Sequence, residues 1–131
     1  MTPPLVRILY VEDEPDIRAV ARLAFEGVGG FTVRTCESGQ EALEAAPAFA
    51  PDLIVLDVMM PGMGGVATLE ALRRLPETTT TPVVFMTAKI QPHEVAQYRR
   101  LGATDVIAKP FDPMTLPSTL QEIWTRHHER S

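Results

Sequence analysis

The chain has 131 residues, a formal net charge of −5 and one cysteine. This length suits a single domain with one core, and the acidic balance argues against a nucleic-acid-binding protein, which normally presents a basic face. A membrane-spanning protein and a secreted protein are also disfavoured, because no apolar run approaches roughly 20 residues and the amino terminus lacks the features of a signal peptide.

Cys36, the single cysteine, has no partner for an internal disulfide. A chain without disulfides is typical of a reducing compartment, which predicts a cytoplasmic protein. The expected role of this thiol is that of a small buried strand residue, not that of a catalytic nucleophile.

The amino-terminal third of the chain alternates strand and helix patterns. Residues 5–11 form an apolar run typical of a buried strand. A helix is predicted to begin at Pro15 and to stop at the glycines within residues 27–30. Residues 31–36 alternate in polarity, as a half-exposed edge strand does.

The middle of the chain carries a helix start signal and a central strand. Ser38 followed by Glu41 is a capping-box pattern, which predicts a second helix that ends before Pro51. Residues 53–56 are apolar throughout, which indicates burial on both faces and therefore a central parallel strand.

The rest of the sequence contributes two strands and three helices, with a polar connector at residues 78–81. The predicted elements are a helix bearing Val66, Leu69 and Leu72, a strand over residues 82–86, a helix bearing Val95, Tyr98 and Leu101 and closed by Gly102, a strand over residues 106–108, and a helix bearing Leu120, Ile123 and Trp124 that Pro117 starts or kinks.

Five strands alternating with five helices predict an α/β fold with a five-stranded parallel sheet and helices on both faces. Right-handed crossovers leave few topologies. The flavodoxin-like, doubly wound order 2-1-3-4-5 places the amphipathic second strand at one edge and the short fifth strand at the other.

Charged and hydroxyl side chains follow four of the predicted strands. The first strand ends in Glu12 and Asp13, the third in Asp57, the fourth in Thr87 and the fifth in Lys109. Because active sites of such sheets form at the carboxyl ends of the strands, these side chains should share one crevice. Asp57 is the most informative, since a carboxylate directly after four buried aliphatic residues is costly unless it is solvated, paired or metal-bound.

Several of these residues also have a purely structural interpretation. Asp13 could cap the helix that begins near Pro15, Thr87 could cap the turn that follows it, and Lys109 could be a solvated surface lysine. Their convergence on one end of one sheet favours a functional site over these separate explanations.

The grouping suits metal-assisted phosphoryl transfer. Neighbouring carboxylates repel one another, and a hard cation such as Mg²⁺ or Mn²⁺ with oxygen ligands would relieve that repulsion. A carboxylate beside such a cation is a known nucleophile toward phosphorus and forms an aspartyl phosphate. Lys109 and the cation would offset charge on the phosphoryl oxygens, and the Thr87 hydroxyl could donate a hydrogen bond to one of them.

The sequence closely resembles the receiver domain of bacterial two-component response regulators, in its single-domain form. The similarity rests on residues 9–14 (LYVEDE), residues 57–63 (DVMMPGM), the pair Thr87-Ala88 and residues 109–111 (KPF), in the order and spacing of the family. It implies a flavodoxin-like receiver domain over residues 1–131, with a core of about residues 5–128 and no output domain.

Carried over residue by residue, the resemblance implies that Asp57 is the phosphoacceptor. Asp13 and Asp57 would bind Mg²⁺ directly, with the backbone carbonyl of Met59 as a further ligand and Glu12 acting through water. Thr87 resembles the switch hydroxyl of the family.

The resemblance gives Lys109 the role of the phosphate-binding cation, and the Lys109–Pro110 peptide bond is expected to be cis. It implies a phosphoacceptor signalling protein that assists its own phosphorylation and dephosphorylation, not an enzyme with a separate substrate.

The phosphoryl donor in this family is a phosphohistidine on a sensor histidine kinase or a phosphotransfer protein. Output is expected through protein–protein contacts of the fourth helix, fifth strand and fifth helix with an unknown downstream protein. No direct nucleic-acid or membrane partner is expected, and the chain is either a monomer or a phosphorylation-dependent dimer.

Val106 departs from the family pattern, because receivers usually carry an aromatic residue three positions before the lysine. The switch formed by Thr87, Ala88 and Val106 should therefore pass its signal by backbone movement or through the fourth helix. Gly64 and Gly65 follow Pro-Gly-Met, and they should loosen this loop.

Met59 and Ala88 occupy positions that influence hydrolysis of the phosphoaspartate in the family. Neither side chain can hydrogen-bond an attacking water, which predicts moderate to slow self-dephosphorylation. The remaining titratable candidates, His93, His127 and His128, are interpreted as solvated surface residues.

Three other functions fit the same residues. The chain could be the receiver module of a larger regulator or hybrid kinase, or an adaptor that binds without phosphorylation. It could also be a phosphatase of the haloacid-dehalogenase type, but those enzymes require a second acid two residues after the nucleophile, where this chain has Met59. A stand-alone receiver is favoured because only a few polar residues follow the last predicted helix.

Overall fold

The computed structural model describes residues 2–130, in which strands and helices alternate. The strands are β1 (Arg7–Val11), β2 (Thr32–Cys36), β3 (Leu53–Asp57), β4 (Val83–Thr87) and β5 (Asp105–Ala108). The helices are α1 (Pro15–Leu23), α2 (Gly39–Phe49), α3 (Gly65–Arg73), α4 (Pro92–Arg100) and α5 (Leu116–Glu129). A π-helical turn, Ala24–Val28, continues α1, and a 3₁₀ turn, Pro76–Thr78, follows α3.

The five strands form one parallel sheet in the order β2-β1-β3-β4-β5, which confirms the predicted topology. Every residue of β3 and β4 is buried, which explains their continuous apolar sequence. At the β2 edge, Val33 and Cys36 are buried while Thr32 and Arg34 are exposed. The polarity pattern of each strand thus follows from its place in the sheet.

The hydrophobic core has two parts, one on each face of the sheet. The first packs against α1 and α5 and includes Tyr10, Phe25 and Trp124. The second packs against α2 and α3 and includes Leu9 and Leu72. Tyr10 and Leu9 belong to different parts because successive side chains of a strand point to opposite faces.

Strand boundaries differ from the prediction by one or two residues, for identifiable reasons. The strand predicted from Leu5 begins at Arg7, and the Asp52 carboxylate accepts the N–H groups of Val6 and Arg7 at 3.0 and 2.8 Å. The fourth strand begins after Pro82, which has no N–H for the sheet.

The end of the first helix is the largest departure from the prediction. The chain continues through Gly27 as a π-helical turn and leaves the helix only at Gly29. The Phe31 N–H donates to the Phe25 carbonyl at 3.0 Å, which wraps the chain back over the helix end. A side chain at Gly29 would lie 2.8 Å from that carbonyl, so only glycine fits this close approach.

The capping box predicted at the start of α2 forms in a modified way. The Ser38 hydroxyl accepts the Glu41 N–H at 3.1 Å. The Glu41 carboxylate, however, accepts the N–H of Glu37, at 2.8 Å, instead of that of Ser38. Both bonds satisfy backbone donors that the helix leaves unpaired.

Helices α4 and α5 are buried to very different extents. All residues of α4 are described and none is buried, whereas α5 buries Leu116, Pro117, Leu120, Ile123 and Trp124. Pro117 lies in the first turn, so it starts α5 and does not kink it. Across residues 2–130, no helix is both long enough and apolar enough to cross a membrane.

Thr78, in the predicted polar connector, is buried, and its hydroxyl donates to the Leu72 carbonyl at 2.5 Å. The interpretation of His127 and His128 as solvated surface residues is wrong. His127 and His128 are half-buried, and the His128 ring lies 4.1 Å from the Trp124 ring. His93 is exposed, as expected.

Candidate functional site

The polar residues that end four strands converge at the carboxyl edge of the sheet. Asp57 and Thr87 are the last residues of the neighbouring strands β3 and β4, and Glu12 and Lys109 directly follow β1 and β5. Glu12, Asp57 and Thr87 are only 0%, 3% and 1% exposed. Such burial of polar groups demands partners, because an unpaired buried charge is strongly unfavourable.

Three carboxylates form an acidic cluster, defined as Glu12, Asp13 and Asp57. One oxygen from each lies within 4.8 Å of the others. Asp13 is half-buried and opens the cluster to solvent. The donors are all carboxylate oxygens, which are the ligands that hard cations such as Mg²⁺ and Mn²⁺ prefer, so the residues present fit a divalent cation of this kind.

Lys109 bridges two of these carboxylates. Its Nζ lies 2.8 Å from Glu12 Oε1 and 3.3 Å from Asp57 Oδ1, and its side chain is 18% exposed. The interpretation of Lys109 as a solvated surface lysine is therefore wrong. Burial alone would lower the pKa of Lys109, but the two carboxylates outweigh that effect and raise it. The Lys109–Pro110 peptide bond is cis.

The surroundings of Asp57 disfavour its charged form. Burial, and next the contact with Glu12, raise the pKa of Asp57 from 3.8 to about 6, while Lys109 acts in the opposite direction. The Met59 N–H donates to Asp57 Oδ1 at 3.2 Å and orients the carboxylate. Asp57 is thus a poorly solvated carboxylate beside a positive charge, which suits a nucleophile.

Thr87 does cap the turn that follows β4, as its structural interpretation proposed. Its Oγ1 accepts the Lys89 N–H at 3.0 Å. A hydroxyl also carries a hydrogen to donate, so the cap leaves Thr87 able to serve a further acceptor. Ala88 is exposed beside it, and Val106 is half-buried on β5.

Asp13 does not cap α1. The N-cap of α1 is Glu14, and within the described chain it makes no side-chain cap hydrogen bond. Instead, Arg18 Nη1 reaches back from α1 and donates to the carbonyls of Glu12 and Asp13 at 2.8 and 3.4 Å. Arg18 was missed by sequence reasoning, although its position one turn into the helix after the acidic pair was a usable signal.

Tyr10 was also missed. Its hydroxyl lies 3.5 Å from Glu12 Oε1. The signal was available in the sequence, because residues two apart in a strand point to the same face.

Gly65 has a role opposite to the one expected. A side chain there would lie 2.7 Å from the Asp57 carbonyl and 2.8 Å from the Val58 Cα. Gly65 is buried at the start of α3 and allows this helix to approach the acidic cluster closely. The glycine therefore permits tight packing of the loop and does not loosen it.

Together these groups can perform acyl phosphate chemistry. Asp57 offers a poorly solvated carboxylate, Lys109 offers a fixed positive charge, and Thr87 offers a hydroxyl hydrogen at the same strand edge. The acidic cluster can hold a divalent cation beside them.

Comparisons with known proteins identify the family of this chain. A family model for the response regulator receiver domain matches residues 8–121. Transcriptional regulatory protein CseB of Streptomyces avermitilis is 36% identical over 119 residues, which are 91% of this chain and 49% of that protein. Response regulator SaeR of Staphylococcus aureus is 33% identical over an alignment of 129 residues. This alignment covers 95% of this chain and 55% of that protein.

Among solved structures, the chemotaxis protein CheY4 of Vibrio cholerae superposes with a TM-score of 0.84 at 32% identity, covering 92% of this chain and 99% of that one. The chain thus spans about half the length of CseB and SaeR and nearly all of CheY4. With the family model matched over most of its length, the chain belongs to the response regulator receiver domain family.

Proposed function

We propose that Asp57 accepts a phosphoryl group from a phosphohistidine of a sensor histidine kinase or phosphotransfer protein. The observation that carries the proposal is the position of a nearly buried Asp57 between Lys109 and two further carboxylates. An Asp57 carboxylate oxygen bonds to phosphorus, the bond from phosphorus to the imidazole nitrogen breaks, and its electron pair leaves with the histidine.

Residues of this chain hold the reacting groups in place. Lys109 would turn from Asp57 Oδ1 to the phosphoryl oxygens, and the Thr87 hydroxyl would donate to one of them. A bound Mg²⁺ or Mn²⁺, held by Asp13, Asp57, the Met59 carbonyl and Glu12 through water, would supply positive charge to the same oxygens.

The signal is proposed to leave the site through α4. Phe85 and Thr87 lie two residues apart in β4, and the Phe85 ring meets the Tyr98 ring of α4 edge-on, with centroids 5.4 Å apart. Because α4 buries none of its residues, which are all described, a shift of β4 can move this helix at low cost. Val106, which pairs with Phe85 across the sheet, has no ring with which to take part.

The proposed role is that of a stand-alone phosphoacceptor in the cytoplasm that acts on a downstream protein and does not turn over a substrate. Near-complete coverage of CheY4 supports it. Coverage of only half of CseB and SaeR supports the second candidate, a receiver module within a larger regulator. An antibody against this domain would distinguish the two by the size of the protein detected in the source cells.

Uptake of phosphate from acetyl phosphate tests the proposal. In Mg²⁺ buffer, wild type is expected to gain one phosphoryl group by intact mass, and Asp57→Asn none. Asp16→Asn is a matched control, because Asp16 is an exposed aspartate on α1 outside the acidic cluster, and it should behave as wild type. Phosphorylation of Asp57→Asn at the wild-type level would overturn the proposal.

A further inference from the structure

Tyr10 is a fully buried tyrosine directly beneath the acidic cluster. It is 0% exposed, and its ring packs edge-on against Phe25, with centroids 5.6 Å apart. This packing would be served equally well by phenylalanine, so the hydroxyl needs a separate explanation. Among the described residues, the hydrogen-bond partner of this hydroxyl is Glu12 Oε1, at 3.5 Å.

Glu12 depends on a small set of donors. Its Oε1 accepts Lys109 Nζ at 2.8 Å in addition to the Tyr10 hydroxyl, and its Oε2 accepts the Glu14 N–H at 3.3 Å. Because Glu12 is 0% exposed, bulk water does not reach it, and the loss of a protein donor is costly. The strongest of these bonds comes from Lys109.

Lys109 cannot keep that bond unchanged through phosphoryl transfer. Its Nζ is shared between Glu12 at 2.8 Å and Asp57 at 3.3 Å. A phosphoryl group on Asp57 adds negative oxygens on the Asp57 side, which draws the ammonium group away from Glu12. Among the described residues, the Tyr10 hydroxyl is then the remaining side-chain donor to Glu12 Oε1.

We propose that Tyr10 is a positioning residue. When Asp57 carries a phosphoryl group, the Tyr10 hydroxyl replaces Lys109 as the hydrogen-bond donor to Glu12 Oε1. This inference rests on the proposed function of Asp57. In the unphosphorylated state the long Tyr10–Glu12 contact contributes little, and in the phosphorylated state it keeps a buried carboxylate bonded and oriented beside the cation site.

The hydroxyl is suited to this role because a tyrosine O–H can donate to a carboxylate oxygen, and the Tyr10 hydroxyl already lies 3.5 Å from Glu12 Oε1.

Beryllofluoride binding in Mg²⁺ buffer tests this role, with beryllofluoride standing for the phosphoryl group. Tyr10→Phe removes one oxygen and keeps the ring. We expect it to need about fivefold more beryllofluoride than wild type for half-saturation, the effect of one modest hydrogen bond. Its melting temperature without Mg²⁺ and beryllofluoride should match that of wild type. Tyr98→Phe makes the same chemical change at a half-buried residue of α4, and this variant should bind beryllofluoride as wild type does.

A double variant tests whether Tyr10 acts through Glu12. In a Glu12→Met background, which has no carboxylate to orient, Tyr10→Phe should have no further effect on beryllofluoride affinity. Equal affinity of Tyr10→Phe and wild type would overturn the inference, as would a lower melting temperature without a change in affinity. Failure of wild type itself to bind beryllofluoride would instead refute the proposed function of Asp57.

Discussion

The acidic crevice, defined as Glu12, Asp13, Asp57, Thr87 and Lys109, and helix α4 are built in opposite ways. In the crevice, Glu12, Asp57 and Thr87 are almost fully buried, and each makes at least one hydrogen bond or ion pair of 2.8–3.3 Å. In α4, described over its full length, no residue is buried, and the Tyr98 ring on Phe85 is its aromatic anchor to the sheet.

Under the proposed function, this difference separates two tasks of the domain. A carboxylate becomes a useful nucleophile only where its surroundings are fixed before the reaction, which requires a rigid, buried frame. A helix that reports the reaction must move for a small change in free energy, which requires shallow packing. The strand ends of the sheet provide the rigid, buried frame, and α4 provides the shallow packing.

Replacement of Lys109 should have the largest effect on the acidic crevice. Lys109→Met leaves Glu12 and Asp57 buried without their shared partner, which should lower the free energy of unfolding by about 3 kcal/mol. Phosphorylation by acetyl phosphate should slow about 100-fold, because a preorganised charge is lost. Urea unfolding and intact mass measure the two effects.

Lys89→Met is the matched control for that variant. Lys89 is an exposed lysine close to the same crevice. The variant retains the backbone N–H of residue 89, which donates to Thr87 Oγ1. Wild-type behaviour of Lys109→Met in both measurements would show that the crevice does not need the positive charge of Lys109.

The pH dependence of stability should reveal the strain on Asp57. Its folded pKa of about 6 lies above the ordinary 3.8, so the folded state holds the proton more tightly than the unfolded chain. Wild type should therefore lose about 2 kcal/mol of stability relative to Asp57→Asn as the pH rises from about 4 to about 6, with little further loss above about pH 7.

Urea unfolding of both proteins in Mg²⁺-free buffer across this pH range provides the measurement. Added Mg²⁺ should remove much of the difference at neutral pH, because a cation stabilises the ionised acidic cluster. A stability difference that stays constant with pH would mean that the pKa of Asp57 is not raised in the folded state.

The smallest expected effect concerns the anchor of α4. Tyr98→Leu removes the edge-on contact with Phe85 and should weaken α4 docking by about 1 kcal/mol. Hydrogen exchange should accelerate in α4 and stay unchanged in β1 and β3. Acceleration spread evenly over the sheet would contradict the separation of a rigid crevice from a mobile helix.

The sequence predicts the sheet order and the meeting of the strand-end residues because both follow from local patterns. The continuous apolar run before Asp57 marks a central strand, and parallel strands bring their carboxyl ends to one edge. The sequence alone therefore groups Asp57, Thr87 and Lys109 at one edge of the sheet.

Features that depend on close approach between distant segments escaped prediction. Gly65 looks like a flexible residue in the sequence, and only the structure shows that it serves packing, because an added Cβ there would lie 2.7 Å from the Asp57 carbonyl oxygen. The π-helical turn before Gly29 depends on how Phe31 folds back onto Phe25. The half-burial of His128 arises from its contact with the Trp124 ring one turn earlier.

The most direct test of the central claim is to locate the phosphoryl group in the wild-type protein. After reaction with acetyl phosphate and Mg²⁺, borohydride reduces an aspartyl phosphate to homoserine, and peptide mass spectrometry finds the position. Homoserine at position 57 and nowhere else is the expected result. Homoserine at Asp13, phosphate retained on a histidine such as His93, or no modification at all would contradict the assignment of Asp57 as the phosphoacceptor.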